Sequence, residues 1–286
     1  MKLKAPAKIN LSLSILGKLA NNYHQVKTAY TQISLFDLIE IEEIKSEETE
    51  IKVNWKGIPV DEKNLVWQAV ELIKQKTGVE EGVRIKLKKQ IPMGSGLGGG
   101  SSDAAAVLKG LNKFWELGLS LDELMVISKK IGADVAYQLV GGVKLEVQGG
   151  DRAGRFEDLG KLPECYLVIC VPEIERVSQQ AYQEVDYTKI GKNDLVDLVR
   201  AVKERDLKMI GENLHNDFEI WTINKFPEVK MIKEKMIKSG AEGVLMSGKG
   251  LAVFGLFRIK AEVDRAWREL RKDYNKSYLV EPYYED

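Results

Sequence analysis

The chain is poor in the residues that build metal centres and covalent staples. It holds two cysteines and two histidines in 286 residues, which do not form a standard zinc motif. Cys165 and Cys170 lie in one apolar run. In a strand, residues five apart point to opposite faces, so a mutual disulfide is not expected and buried thiols of a reducing cytoplasm are. No apolar stretch approaches the length of a membrane helix. The longest uninterrupted run, Cys165 to Pro172, spans eight residues and reads as a strand. The opening Met1-Lys2-Leu3-Lys4-Ala5-Pro6 lacks the apolar core of a signal peptide. There is no excess of charge of either sign: 43 basic residues face 43 acidic ones, and no local basic patch stands out. That argues against a nucleic-acid partner. Internal repeats and low-complexity segments are absent too.

What is present is an ordinary globular composition, 44% apolar and 30% charged, long enough for about two domains. Residues 8–15 alternate, with Ile9, Leu11, Leu13 and Ile15 on one face and Lys8, Asn10, Ser12 and Ser14 on the other. That pattern predicts a half-buried strand. Further strands are predicted within 27–55, with the acidic stretch Glu40 to Glu50 at a solvated hairpin edge. Asn64 caps a predicted helix whose apolar face is Val66, Ala69, Val70 and Ile73, and Gly78 ends it. A strand at 83–88 follows, then helices over about 102–117 and 121–131, and a short one opened by Asp134 and broken at Gly141-Gly142. The polar, turn-rich segment 148–163 marks a boundary, giving domains over 1–160 and 161–286. The second half reads as strands at 166–171, 243–247, 251–257 and 277–281, with helices near 178–185, 193–204, 228–238 and 260–272. Mixed strands and helices in this order indicate α+β in both halves.

The strongest chemical signal is Pro92-Met93-Gly94-Ser95-Gly96-Leu97-Gly98-Gly99-Gly100-Ser101-Ser102. Glycine at this density costs conformational entropy. Anion binding supplies a reason. Successive backbone N–H groups can point inward, and the helix that follows offers its first-turn N–H groups and positive dipole end to a phosphate. A flexible linker would not lie between a strand and the helical run Ala104 to Asn112. The segment is neither a Walker A loop nor a dinucleotide fingerprint in its usual setting.

With the Asp103-Ala104-Ala105-Ala106 that follows, this segment resembles the ATP loop of the GHMP small-molecule kinases. Within them it resembles the branch that acts on a cytidine diphosphate ester of methylerythritol. The resemblance extends over nearly the whole chain through Ala5-Pro6-Ala7-Lys8-Ile9-Asn10-Leu11, Tyr23-His24 and Gly132-Ala133-Asp134-Val135. It continues through Asn216-Asp217-Phe218-Glu219 and Met246-Ser247-Gly248 followed by Gly250. It implies a two-domain α+β fold, with a ribosomal-protein-like ATP-binding half, a ferredoxin-like C-terminal half and the active site in the cleft between them. It also implies ATP with Mg²⁺, a cytoplasmic monomer or homodimer, and phosphorylation of the 2-hydroxyl of the methylerythritol part. The competing expectations are a related kinase for an alcohol such as mevalonate or homoserine, and a nucleotide-binding module without catalysis.

By the same resemblance Lys8 and Asp134 are the catalytic pair. Alone, Lys8 would read as a solvated strand lysine and Asp134 as a helix N-cap. Phosphoryl transfer to an alcohol needs a proton acceptor and neutralisation of the transferring group, and a carboxylate and an ammonium supply both. A lysine beside the aspartate also weakens it as a base, so positioning and electrostatics should dominate. Tyr23 and His24 match the pair that reads the cytosine base, and Tyr182 is placed to stack on its other side. Asn10 shares the Lys8 face of its strand and is expected against the substrate. Ser102 is the candidate ligand for Mg²⁺, and Asn64 and Asn112 are candidates for the adenine side. The turn Ser247-Gly248-Lys249-Gly250 reads equally as a tight hairpin or as a second glycine turn closing on the loop or the substrate. Departures from the family pattern, at Asn21-Asn22, Gln25, Gln179, Lys249 and Leu251, fall in or near the substrate-side motifs.

Overall fold

The computed structural model describes residues 1–18, 24–147, 155–174 and 195–285. Tyr23, Tyr182, Asn21-Asn22, Gln179 and the helix expected near 178–185 lie outside these residues, as does the side chain of His24. The chain packs as two compact units.

Unit 1 comprises residues 1–7, 35–93 and 98–141. Its strands order as β3 (Thr49–Val53), β4 (Gly82–Lys88), β2 (His24–Ile44) and β1 (Lys2–Lys18). β4 runs parallel to β3 and antiparallel to β2. Alternation sends Ile39, Ile41, Val83, Ile85 and Leu87 to one face of this sheet. There they form one core with α1 (Leu65–Thr77), α2 (Gly99–Phe114), α3 (Leu121–Ile131) and α4 (Ala133–Val140). Asn64 caps α1 by accepting from the Val66 N–H at 2.9 Å, and Gly78 ends it in the left-handed region. Ser120 and Glu123 form a capping box on α3.

The acidic stretch is solvated, with Glu43, Glu47 and Glu48 exposed, and it ends on the edge strand β3, but it is no hairpin, because β4 lies between β2 and β3. Its first carboxylates stand on β2, an inner strand, and face the bases that the alternation of β4 projects on the same side. Glu40 and Glu42 pair with Lys86, and Glu50 with Arg84 at 2.7 Å. Hydrogen bonds from Lys86 and Arg84 hold the Glu42 and Glu50 carboxyls below their ordinary range.

Unit 2 comprises residues 8–34, 94–97 and 142–286. β1 and β2 continue into it, so both long strands serve the two units. β5 (Lys144–Val147) pairs with β2 and with β6 (Arg155–Asp158), and β8 (His215–Asn216) runs parallel to β1. A separate antiparallel sheet orders β11 (Ser277–Val280), β7 (Tyr166–Cys170), β10 (Val253–Phe257) and β9 (Gly243–Met246). Counted along the chain, that order is fourth, first, third, second. Between the first two strands lie α5 (Val196–Glu204), α6 (Leu207–Glu212), α7 (Glu219–Lys225) and α8 (Pro227–Lys238). α9 (Lys260–Arg271) lies between the last two. This is the ferredoxin-like arrangement. Val168, Cys170, Val253 and Phe257 pack with Val229, Ile232, Met236, Val263 and Leu270. The sequence pattern foresaw neither α6 nor α7, both under two turns long. Cys165 and Cys170 are free and buried, and burial pushes both thiols up to about 12. Among the described residues no helix is long and apolar enough to cross a membrane.

The units do not follow a linear division at residue 160. Residues 8–34 and 94–97 and the described residues of 142–160 fall in the same unit as the C-terminal sheet, because β1 and β2 run through both units.

Unit 1 also buries three charged side chains together. Lys89 donates to both Asp37 and Asp103, and all three are at most 6% exposed. Asp37 accepts as well from the N–H groups of Gln90 and Ile91, the second at 2.9 Å, and so fixes the chain leaving β4. Two carboxylates share one ammonium. Burial, reinforced by Asp37 and opposed by Lys89, raises the Asp103 carboxyl to about 8. The folded protein then holds a proton that the unfolded chain releases near pH 4, so this group's contribution to stability is lost as pH rises from about 4 to 8. Asp103→Asn cannot titrate. Its melting temperature relative to the parent should therefore rise steadily across that window, and a difference independent of pH would refute the assignment.

Candidate active site

The glycine segment leaves the Asp37 clamp and turns through three left-handed residues, Gly94, Gly96 and Gly98, with φ of 66°, 89° and 70°. Left-handed residues alternating with right-handed ones are the geometry by which consecutive N–H groups converge on an anion. α2 begins at Gly99, three residues before the expected start, because Gly98 takes the N-cap position. Having no side chain, Gly98 caps none of the first-turn N–H groups. A sixteen-residue helix therefore presents its positive end beside the loop. Ser101 lies in that first turn and is half-buried. Ser102 is buried, and its hydroxyl donates to the Pro6 carbonyl at 2.6 Å.

In unit 2 the loop tip meets the turn after β9, backbone to backbone. The Ser95 carbonyl accepts from the Ala252 N–H at 3.0 Å, and the Gly96 carbonyl from the Ser247 hydroxyl at 3.1 Å. A Cβ on Gly250 would stand 1.8 Å from the Ser95 carbonyl carbon, and one on Gly96 would stand 2.1 Å from the Ser247 carbonyl oxygen. Only glycine fits at either place. The turn at 247–250 thus closes on the glycine loop. Asn216 holds it from below by donating to the carbonyls of Met246 and Gly248, both at 2.8 Å. Glu219 adds a bond from the Met246 N–H at 2.9 Å, and Asp217 accepts from the Ile15 N–H at 2.6 Å. The Asn216-Asp217-Phe218-Glu219 motif is a clamp on this turn.

Lys8 sits at the foot of the same turn. The strand carrying it is not half-buried. Lys8, Asn10, Ser12 and Ser14 are all buried, because the turn and the neighbouring strand cover their face as well. Lys8 is 4% exposed, so it is no solvated lysine. Its ammonium donates to the Asn10 side-chain oxygen at 2.7 Å and lies 5.5 Å from the centroid of the Tyr30 ring. Asn10 in turn donates to Thr28 at 2.8 Å, and its backbone N–H donates to Ser247 at 3.3 Å. A Cβ on Gly248 would lie 3.5 Å from the Lys8 ammonium nitrogen, so the turn's lack of a side chain leaves that side of the cation uncrowded.

In unit 1, Asp134 is the second residue of α4 and half-buried. It is not the N-cap, which is Gly132. α4 is tied down through the Pro6 carbonyl, which accepts from Gln138 at 3.2 Å as well as from Ser102. Among the other expected residues, Asn64 is committed to capping α1, and Asn112 brackets Leu119 by two bonds of 2.9 Å. Both are thereby structural. Asp37 and Lys89 escaped the sequence reading although the pattern carries a signal for them. Along 33, 35, 37, 39, 41 and along 83, 85, 87, 89 they occupy core-face positions that are otherwise apolar.

Residues 64–142 match the GHMP kinases N terminal domain family, and residues 198–276 match the GHMP kinases C terminal family. The chain is 40% identical over 272 residues to the 4-diphosphocytidyl-2-C-methyl-D-erythritol kinase of Caldicellulosiruptor bescii, covering 95% of this chain and 94% of the other. Its identity to the kinase of the same name from Bacillus pumilus is 38%, covering 97% and 95%. A crystal structure of 4-(cytidine 5'-diphospho)-2C-methyl-D-erythritol kinase superposes with a TM-score of 0.82 at 30% identity, covering 99% of this chain and 100% of that one. The homoserine kinase of Cytophaga hutchinsonii, 21% identical with a TM-score of 0.79 over 99% and 95%, shares the fold. By full-length identity at this level, the chain belongs to the 4-diphosphocytidyl-2-C-methyl-D-erythritol kinase family of the GHMP kinases.

Proposed function

We propose that the protein transfers the terminal phosphoryl group of ATP to the 2-hydroxyl of 4-diphosphocytidyl-2-C-methyl-D-erythritol, a step of the non-mevalonate route to isoprenoid precursors. What carries the reading is the agreement of relatives in one activity over 95% or more of the chain. The loop geometry fits it. The left-handed glycines and the uncapped start of α2 offer N–H donors to phosphate oxygens, from Pro92 through Ser102. In this reading Lys8 neutralises charge that develops on the transferring group. Its ammonium is already desolvated and oriented by Asn10, so little reorganisation accompanies the reaction. Asp134 accepts the hydroxyl proton. Tyr23, His24 and Tyr182 are assigned to the cytosine base, and Asn10 to the alcohol side.

Mg²⁺ accompanies ATP in this reading. The described residues do not form a dedicated metal site. Among the described residues no three His, Cys, Asp or Glu side chains gather to hold an ion. The Ser102 hydroxyl is buried against Pro6 and is not retained as a metal ligand.

ADP release with Mg-ATP should be seen with the cytidine ester and not with the uncytidylated alcohol, mevalonate or homoserine. Turnover of another alcohol instead would keep the kinase and discard the substrate. Asp134→Ala should keep ATP binding and lose more than about a hundredfold in turnover; near-normal turnover would sink the proton-acceptor role. His24→Ala should raise KM for the cytidine ester far more than KM for ATP, and equal effects would count against the base-reading role. Gly250→Ala should cost at least about 2 kcal/mol of stability and weaken ATP use, because the loop backbone must move. Gly17→Ala, which meets nothing within 4 Å, should do neither. Equal melting temperatures for these two variants would overturn the close-approach argument.

A further inference from the structure

The sheet of unit 1 has a second face, opposite its helices, and strand register decides what stands on it. Met1 and Ile41 exchange backbone bonds of 2.7 and 2.8 Å, which sets Lys2 beside Glu40 and Lys4 beside Leu38. β2 in turn sets Glu40 opposite Lys86 and Leu38 opposite Lys88, and β3 sets Lys52 opposite Lys86. Two neighbouring rows result. One reads Lys52, Lys86, Glu40, Lys2, and the next reads Asn54, Lys88, Leu38, Lys4.

A hollow of about 630 Å³ lies across both rows. Its wall is mostly carbon, from Leu38, the lysine stems and the strands beneath. Its volume is in the range of small-molecule sites, roughly 300–1,000 Å³. Five lysines line it against a single glutamate, Glu40, which is already paired with Lys86. Lys2, Lys4, Lys52 and Lys88 are exposed and form no ion pair among the described residues. The row beyond, Glu42, Arg84 and Glu50, holds one carboxylate more than it has bases, and Lys86 and Lys52 offset it, so the excess that remains in the hollow lies with Lys2, Lys4 and Lys88. The whole chain balances 43 against 43. Lys52 stands directly opposite Lys86, whose charge Glu40 and Glu42 take up, and Lys52 itself acts on Glu42 and Glu50.

We propose that this hollow binds a small amphiphilic anion, with its hydrocarbon body against Leu38 and the lysine stems and one phosphate, sulfonate or carboxylate group held by the lysine ammoniums. The site is independent of the kinase assignment. An extended nucleic acid fits less well, because it wants open aromatic faces, and Phe36 on this face is covered by the Lys4 ammonium at 5.2 Å.

The test is calorimetric titration of the full chain with decyl phosphate below its micelle concentration. Saturable binding is expected, weakened at least about tenfold by Lys4→Glu with Lys88→Glu and again by Leu38→Asp. Kinase turnover should persist in all variants, which shows that they fold. Inorganic phosphate should compete only at far higher concentration. Absence of binding by the parent, or equal affinity in the charge-reversed variant, would overturn the proposal. So would a single-stranded oligonucleotide or an anionic vesicle binding where decyl phosphate does not.

Discussion

Two backbones touch where Ser95-Gly96 passes Ser247–Gly250, and much of the candidate site in unit 2 depends on that contact. Carbonyls and N–H groups can interlock at this range only if no Cβ intervenes. The contact orients Ser247, whose hydroxyl bridges the Gly96 carbonyl and the Asn10 N–H. Asn10 orients Lys8. The clamp at Asn216 to Glu219 then appears as support for a turn with no side chains of its own to hold it. A loop that binds by its backbone must be held by its backbone, which explains why the rigid elements around it spend so many side-chain bonds on main-chain partners.

The buried polar row of β1 is the other half of this design. Placing an ammonium in the interior costs solvation that its neighbours must replace. Asn10 supplies an acceptor, and the face of Tyr30 supplies a quadrupole. The Tyr30 hydroxyl in turn donates to Glu146 at 2.7 Å, extending the polar chain one strand further. Fixed dipoles of this kind favour charge without having to turn when it develops.

The glycine loop was legible because glycine at that density is expensive and needs a cause. The helix from Asn64 was legible through its cap, whereas the capping box of Ser120 and Glu123 emerged only in the structure. The alternation at 8–15 was legible as a strand but not as a doubly covered one, since period two says only that the faces differ. What buries the Lys8 face comes from residues 247–250, more than two hundred positions away. Asp37 and Lys89 were hidden for a related reason. Each breaks a core-face pattern alone and makes sense only across strands, one step beyond the pairing of Leu38 with Lys88. The lysines on the open sheet face come from residues 2–4, 52 and 86–88, so no window of sequence contains the patch.

The two cysteines have a practical consequence. Burial holds both thiols well above their ordinary range, so they stay protonated at neutral pH, and thiolate is the form that reacts. The native background is therefore silent to maleimides and disulfide reagents while the fold holds. A single cysteine introduced on the surface would carry a fluorophore or spin label alone. The same two buried thiols would become reactive only on opening of the C-terminal sheet, giving a built-in chemical clock for local unfolding.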